Sequence, residues 1–133
     1  EAGRDIRIQR FENGAAISTT QLTDTSTNET APVATALADG RILLAWTTFT
    51  LDTTEQELTP AYFTSAEIAY SIYDGESWSA PQRLTDTDRT QQRPTVAAAG
   101  DEWLLAWQSI DDSQPATAVR VARVICVYRV EIR

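Results

Sequence analysis

The sequence contains no histidine and a single cysteine, Cys126. The first absence removes the commonest general base and metal ligand, and the second rules out an intrachain disulfide. Ser-His-Asp, Cys-His and His-based zinc chemistry are therefore excluded within these 133 residues. Basic residues are also few, since 11 Lys and Arg stand against 19 Asp and Glu for a net charge of −8. Nucleic acids and anionic membranes are bound by clustered cations, so neither is an expected partner. The acidity reads instead as solubility in a secreted or salt-exposed protein. Long apolar runs are missing as well: stretches such as Ile42-Leu43-Leu44-Ala45-Trp46 fall far short of the roughly 18 to 20 residues of a membrane helix. No basic and apolar leader opens the chain, and Glu1 stands first, which reads as a mature or excised piece of an extracellular or cell-surface protein.

What is present is ordinary globular composition, 42% hydrophobic and 23% charged residues, which argues against disorder, and a long internal repeat. Leu22-Thr23-Asp24-Thr25 returns 62 positions later as Leu84-Thr85-Asp86-Thr87, and Pro32, Ala36 and Asp39 return as Pro94, Ala98 and Asp101. Leu43-Leu44-Ala45-Trp46 returns after 61 positions as Leu104-Leu105-Ala106-Trp107. The lost residue falls at the Asp39-Gly40 and Gly100-Asp101 turns, where a hairpin tolerates deletion. The same offset sets the strand-like segment 6–14 beside 68–76, and Val119-Arg120-Val121 resembles Ile6-Arg7-Ile8 as the start of a third copy.

Each unit reads as four strands. The first, 32–37, opens on Pro32, because a proline at a strand's first position costs least. The second, 42–48, is continuously apolar and so is expected to be buried on both faces. The third is 67–73 and the fourth 78–84, joined through Asp74-Gly75.

Ser71-Ile72-Tyr73-Asp74-Gly75-Glu76-Ser77-Trp78 resembles the Asp-box hairpin of sialidase-like β-propellers, with its Asp one place later than usual. Trp78-Ser79-Ala80-Pro81 and the earlier Leu44-Ala45-Trp46 extend the likeness to a whole blade, and over nearly the whole chain. The resemblance implies an all-β fold of four-stranded antiparallel propeller blades, in a ring that is incomplete or closed by oligomerisation. Residues 1–31 would be the last two strands of one blade and its connecting loop, 32–93 a complete blade, and 94–133 the first strands of another. Ala34, Ala36, Ala97, Ala98 and Ala99 would suit the crowded innermost strands. It also implies that Ser71, Asp74, Gly75 and Trp78 are structural, the polar side chains bonding the turn and the Trp packing into the blade.

A propeller's ligand face would be built from the loops 23–31, 49–66, 85–93 and 109–118. A sialidase-like site would need an arginine cluster, a Tyr-Glu pair and an acid. Arg93 is the best-placed candidate ligand-binding residue, with Gln92 beside it, although a surface or blade-to-blade ion pair is the plainer expectation for Arg93. The long loop before Glu67 carries Glu57 and two candidate ligand-binding aromatics, Tyr62 and Phe63. Asp86-Thr87-Asp88 and Asp111-Asp112 could ligate calcium, but neither has the spacing of a calcium loop and turn chemistry explains both. No catalytic residue, metal site or cofactor is assigned. The expected function is a non-catalytic recognition or structural propeller segment, binding glycan or protein. Its partners would be the remaining blades of a longer chain or further copies of itself. The alternative is a fragment of a sialidase-like glycoside hydrolase with most catalytic residues elsewhere.

Overall fold

The computed structural model describes residues 3–50, 66–86, 90–110 and 120–126. Within them the chain is antiparallel β-sheet, with no helix among the described residues. Asn13 and Gly14 both take positive φ, 49° and 79°, the pair of left-handed positions that a type I′ turn demands. They close β1 (Arg7–Glu12) on β2 (Ala15–Gln21), a two-stranded sheet. The second sheet has the order β3 (Asn28–Ala36), β4 (Ile42–Phe49), β5 (Glu67–Tyr73), β6 (Gln82–Arg83). The third is β7 (Thr90–Ala99), β8 (Glu102–Ile110), β9 (Arg120–Cys126).

The expected starts at Pro32 and Pro94 are corrected: β3 and β7 each begin four residues earlier. Each proline instead lies inside its strand, at a bulge between Thr30 and Val33 or between Gln92 and Thr95. A bulged residue leaves the ladder, so the missing proline N–H costs no hydrogen bond there. The residue before proline is disfavoured in the right-handed region. Ala31 and Arg93 turn left-handed, with φ of 52° and 54°.

The fourth strand is also corrected, from 78–84 to the two residues of β6 and an isolated bridge between Tyr73 and Trp78. Pro81 has no N–H for a ladder, and Ser79 takes over the pairing. Its backbone N–H donates to the Ile72 carbonyl at 2.8 Å, and its Oγ accepts the Ile72 N–H at 2.9 Å. The Ser71 hydroxyl donates to the Ser79 carbonyl at 2.6 Å.

The apolar run of β4 is buried over Leu43 to Thr48, as its composition demands, because it lies between two layers. Leu43 and Ala45 join Ile68, Tyr70 and Ile72 in a cluster with Trp103, Leu105 and Trp107 of the third sheet. On the opposite side Leu44, Trp46 and Ala69 pack with Ile6, Ile8, Leu22 and Trp78. Arg41 stitches the second sheet to the third: its guanidinium lies 5.4 Å from the Trp103 ring centroid and donates to the Asp101 carbonyl at 3.4 Å.

The 62-residue repeat is written into the hydrogen bonds. The N–H of Ile6 donates to Thr23 Oγ1 at 2.8 Å, and that of Ile68 to Thr85 Oγ1 at 2.9 Å. The carbonyls of Ile6 and Ile68 accept from Leu22 and Leu84 at 3.0 and 2.7 Å. Those of Arg4 and Ala66 accept from Glu29 and Gln91 at 2.8 and 2.9 Å. Trp46 Nε1 donates to Glu29 Oε2 at 2.6 Å, and Trp107 Nε1 to Gln91 Oε1 at 2.7 Å.

The third copy is shifted from its expected register. Arg120 stands opposite Ser109 as Glu67 stands opposite Thr48, and Arg123, opposite Trp107 as Ala69 is opposite Trp46, takes the place of Arg7; a bulge interrupts the β8–β9 pairing between Trp107 and Ser109.

Candidate functional site

The hairpin from Ser71 to Trp78 is bonded through its own polar side chains. Asp74 Oδ1 accepts the backbone N–H groups of Glu76 at 2.8 Å and Ser77 at 2.9 Å. These bonds, that of Ser77 foremost, favour the charged carboxylate and hold it below the ordinary value of 3.8. Gly75 takes φ of 106°, closed to other side chains without strain. Trp78 is half-buried and packs on the Tyr73 ring, with centroids 5.4 Å apart. The side chains of Ser71, Tyr73 and Asp74 are spent on the turn and its flank.

A different constellation forms where the bulges of β3 and β7 meet. A cleft of about 330 Å³ is lined by Arg4, Thr30, Ala31, Thr47, Gln92 and Arg93, with Phe49 and Ala66 completing it. The backbone explains the convergence. The Arg4 N–H donates to Asn28 Oδ1 at 3.2 Å, while its carbonyl holds Glu29, which pins Arg4 beside the start of β3. The Arg93 N–H donates to Thr47 Oγ1 at 3.3 Å, which ties the β7 bulge to β4. Ala66 occupies the place of Arg4 one repeat later, and Ala31 the place of Arg93 one repeat earlier. Each repeat thus contributes one arginine and one alanine to the same pair of positions.

The expected place of Arg93 in a connecting loop is corrected: it lies on β7. An ion pair is seen among the described residues between Arg41 and Asp39 at 2.9 Å. The left-handed turn at Arg93 commits its N–H to Thr47 on the neighbouring strand β4 and leaves the side chain exposed. Arg4 is exposed too. In a chain of net charge −8, the described residues of this cleft are two cations, two threonine hydroxyls and the Gln92 amide, without a carboxylate among them. Such a set can hold an anion by charge-assisted hydrogen bonds and a saccharide by its hydroxyls.

Gln92 and Arg93 are the sequence candidates that the structure brings together. Tyr62 and Phe63, with Glu57, lie outside the described residues, as do Thr87-Asp88 and Asp111-Asp112. Among the described residues no group of three His, Cys, Asp or Glu side chains is arranged to hold a metal ion. Arg4 and Thr47 were not singled out in the sequence, although the offset from Ala66 would have pointed to Arg4. The symmetry between Glu29-Thr30-Ala31 and Gln91-Gln92-Arg93 is closer than their letters suggest, because Glu29 and Gln91 both accept a tryptophan N–H.

No protein-family model matches the chain, and no curated protein or solved structure gave a match.

Proposed function

We propose that the chain is a non-catalytic recognition segment of an Asp-box type β-propeller in an extracellular or surface protein, and that the cleft between its bulges binds a carboxylate-bearing glycan. The propeller reading is supported by a repeat that reproduces its hydrogen bonds unit by unit and by a second sheet covered on both faces. Innermost strands of adjacent blades would meet as β3 and β7 do at the cleft. The Asp-box reading of the hairpin is supported by the turn bonds of Asp74 and the packing of Trp78.

The observation that carries the binding assignment is the presence of Arg4 and Arg93 in one concave lining whose described residues include no carboxylate. Binding rather than hydrolysis is the reading because glycoside cleavage uses a pair of carboxyl groups flanking the bond, whereas this lining offers cations and hydroxyls. Calorimetric titration with N-acetylneuraminic acid, with its methyl ester as the uncharged control, tests it. The acid should bind, the ester should bind at least tenfold more weakly, and Arg93→Ala should lose about 10- to 100-fold in affinity, the value of one charged hydrogen bond of about 1.5–3 kcal/mol. Equal binding of acid and ester would remove the carboxylate assignment. Turnover of a fluorogenic sialoside that disappears in Arg93→Ala would favour the glycoside hydrolase reading instead.

A further inference from the structure

Two faces of this chain are copies of one interface, filled in one place and open in the other. Leu43 and Ala45 of β4 cover Trp103, Leu105, Trp107 and Val96 of the third sheet. One repeat earlier the corresponding positions are Ile42, Leu44, Trp46 and Ala34. Three of those, Ala34, Ile42 and Leu44, line an open groove of about 490 Å³ against β1, together with Pro32, Ile8 and Trp78.

The third sheet shows the complementary deficiency. The positions on β8 that correspond to Leu43 and Ala45 are Leu104 and Ala106, and Leu104 is 37% exposed, an apolar side chain left uncovered by the described residues.

The edge of β1 fits the same pattern. Among the described residues β1 pairs with β2 alone, yet its repeat equivalent, β5, is also paired with β4. Ile6 bonds toward the β2 side through both its N–H and its carbonyl. Antiparallel strands alternate sides residue by residue, so Arg7 and Gln9 direct theirs to the outer edge, as Ala69 and Ser71 do toward β4.

We propose that β8 of a second copy of this chain fills the groove beside β1, so that copies join head to tail. Leu104 and Ala106 of one copy cover Ala34, Ile42 and Leu44 of the next, repeating the contact that Leu43 and Ala45 make with the third sheet. The β1–β2 hairpin then completes a four-stranded sheet with β7 and β8. In that sheet β1 takes the edge that β9 holds within the chain. The exchange is between equivalents: Arg123-Val124 stand opposite Trp107-Ala106, where the register of Ala69 and Tyr70 on β4 would set Arg7-Ile8. Contacts of this kind are heterologous and build rings or filaments. The inference rests on the blade reading of the sheets, and not on the glycan cleft.

Light scattering on the intact 133-residue chain at micromolar concentration should give an oligomer. Leu104→Asp, which charges an exposed position, and Gln9→Pro, which removes an outward N–H without touching the β1–β2 ladder, should each give a monomer with unchanged circular dichroism. Two single-cysteine variants report the register directly. Cys126→Ser with Arg10→Cys and Cys126→Ser with Leu104→Cys, mixed and oxidised, should cross-link to each other and not to themselves. A monomeric parent chain, an oligomer that survives Leu104→Asp, or self-linked products alone would overturn the inference, and the groove would then belong to a strand from outside these residues. Cross-linking in the expected register without binding of the acid sugar would leave this inference standing and remove the glycan assignment.

Discussion

Trp46 and Trp107 occupy the same position in successive repeats, and each donates its indole N–H to a side chain 16 or 17 residues earlier. The acceptors differ. Glu29 is a buried carboxylate that also receives the hydroxyls of Thr48 at 3.1 Å, Thr27 at 2.6 Å and Thr25 at 3.2 Å. Gln91 is a neutral amide and cannot gather donors the same way, because half of its head group donates. A buried charge is tolerated where donors surround it. The two repeats therefore preserve the bond and vary the charge, so the shared element is an acceptor for the indole.

Substitutions can break this pairing in graded steps. The largest effect belongs to the rings themselves: Trp46→Ala and Trp107→Ala should each lose about 3–5 kcal/mol in urea unfolding, since both rings are buried in clusters between sheets. Equal losses would show that the two repeats carry load alike. Glu29→Ala and Gln91→Ala come next. Each strands an indole N–H, at a cost of about 1–3 kcal/mol, and Glu29→Ala should cost more because three hydroxyls lose their acceptor as well. A Gln91→Ala variant as damaging as Glu29→Ala would make the threonine shell irrelevant.

Smaller and of opposite sign is the backbone at the bulges. The left-handed conformation costs a side-chain-bearing residue about 1–2 kcal/mol, against about 0.5–1 kcal/mol of extra chain entropy lost by glycine. Ala31→Gly and Arg93→Gly should both raise stability by about 0.5–1 kcal/mol in thermal unfolding, while only the second weakens binding of the acid sugar, by about 10- to 100-fold. A loss of stability in either would mean that the bulge rests on the side chain it carries.

Smallest is the acid response of the turns. The N–H groups of Ser77 and Glu76 lower the pKa of Asp74, and the backbone N–H and guanidinium of Arg41 lower that of Asp39. A carboxylate depressed on folding contributes stability that is complete above its unfolded value of 3.8 and lost as pH falls through its lower folded value. Both side chains are exposed, so the effect is slight. Asp74→Asn should match the parent at pH 7 more poorly than at pH 2.5, as read from parallel urea titrations; a difference independent of pH would assign the turn's stability to shape alone.

Much of the sheet order could be read from the residues. A continuous apolar run from Ile42 to Trp46 has nowhere to hide an apolar face except between two layers, and β4 lies there. The bounds of β5 were equally plain, because Glu67 and Tyr73 flank an uninterrupted β-prone segment. The bulges were not legible: a left-handed Ala31 or Arg93 contradicts local preference and is held by pairing with strands far along the chain. The same holds for β6, shortened because Ser79 supplies side-chain bonds that a strand pattern does not register. At the cleft, the proline after Arg93 marked its place, whereas Arg4 has no local signal and is reached only through the 62-residue offset from Ala66, the carbonyls of the two accepting from Glu29 and Gln91.

The shortness of β6 bears on how the chain behaves in a crowded solution. An exposed strand edge recruits other strands, and edges are made safe by brevity, proline and charge. The flank after Trp78 has all three: Pro81, a two-residue strand and the exposed Arg83. Ser79 adds a fourth device, spending its own N–H and hydroxyl inward on Ile72 and Ser71, so that little hydrogen-bonding capacity faces a passing chain. The outer rim of the second sheet is thereby protected against amyloid-like growth from that side.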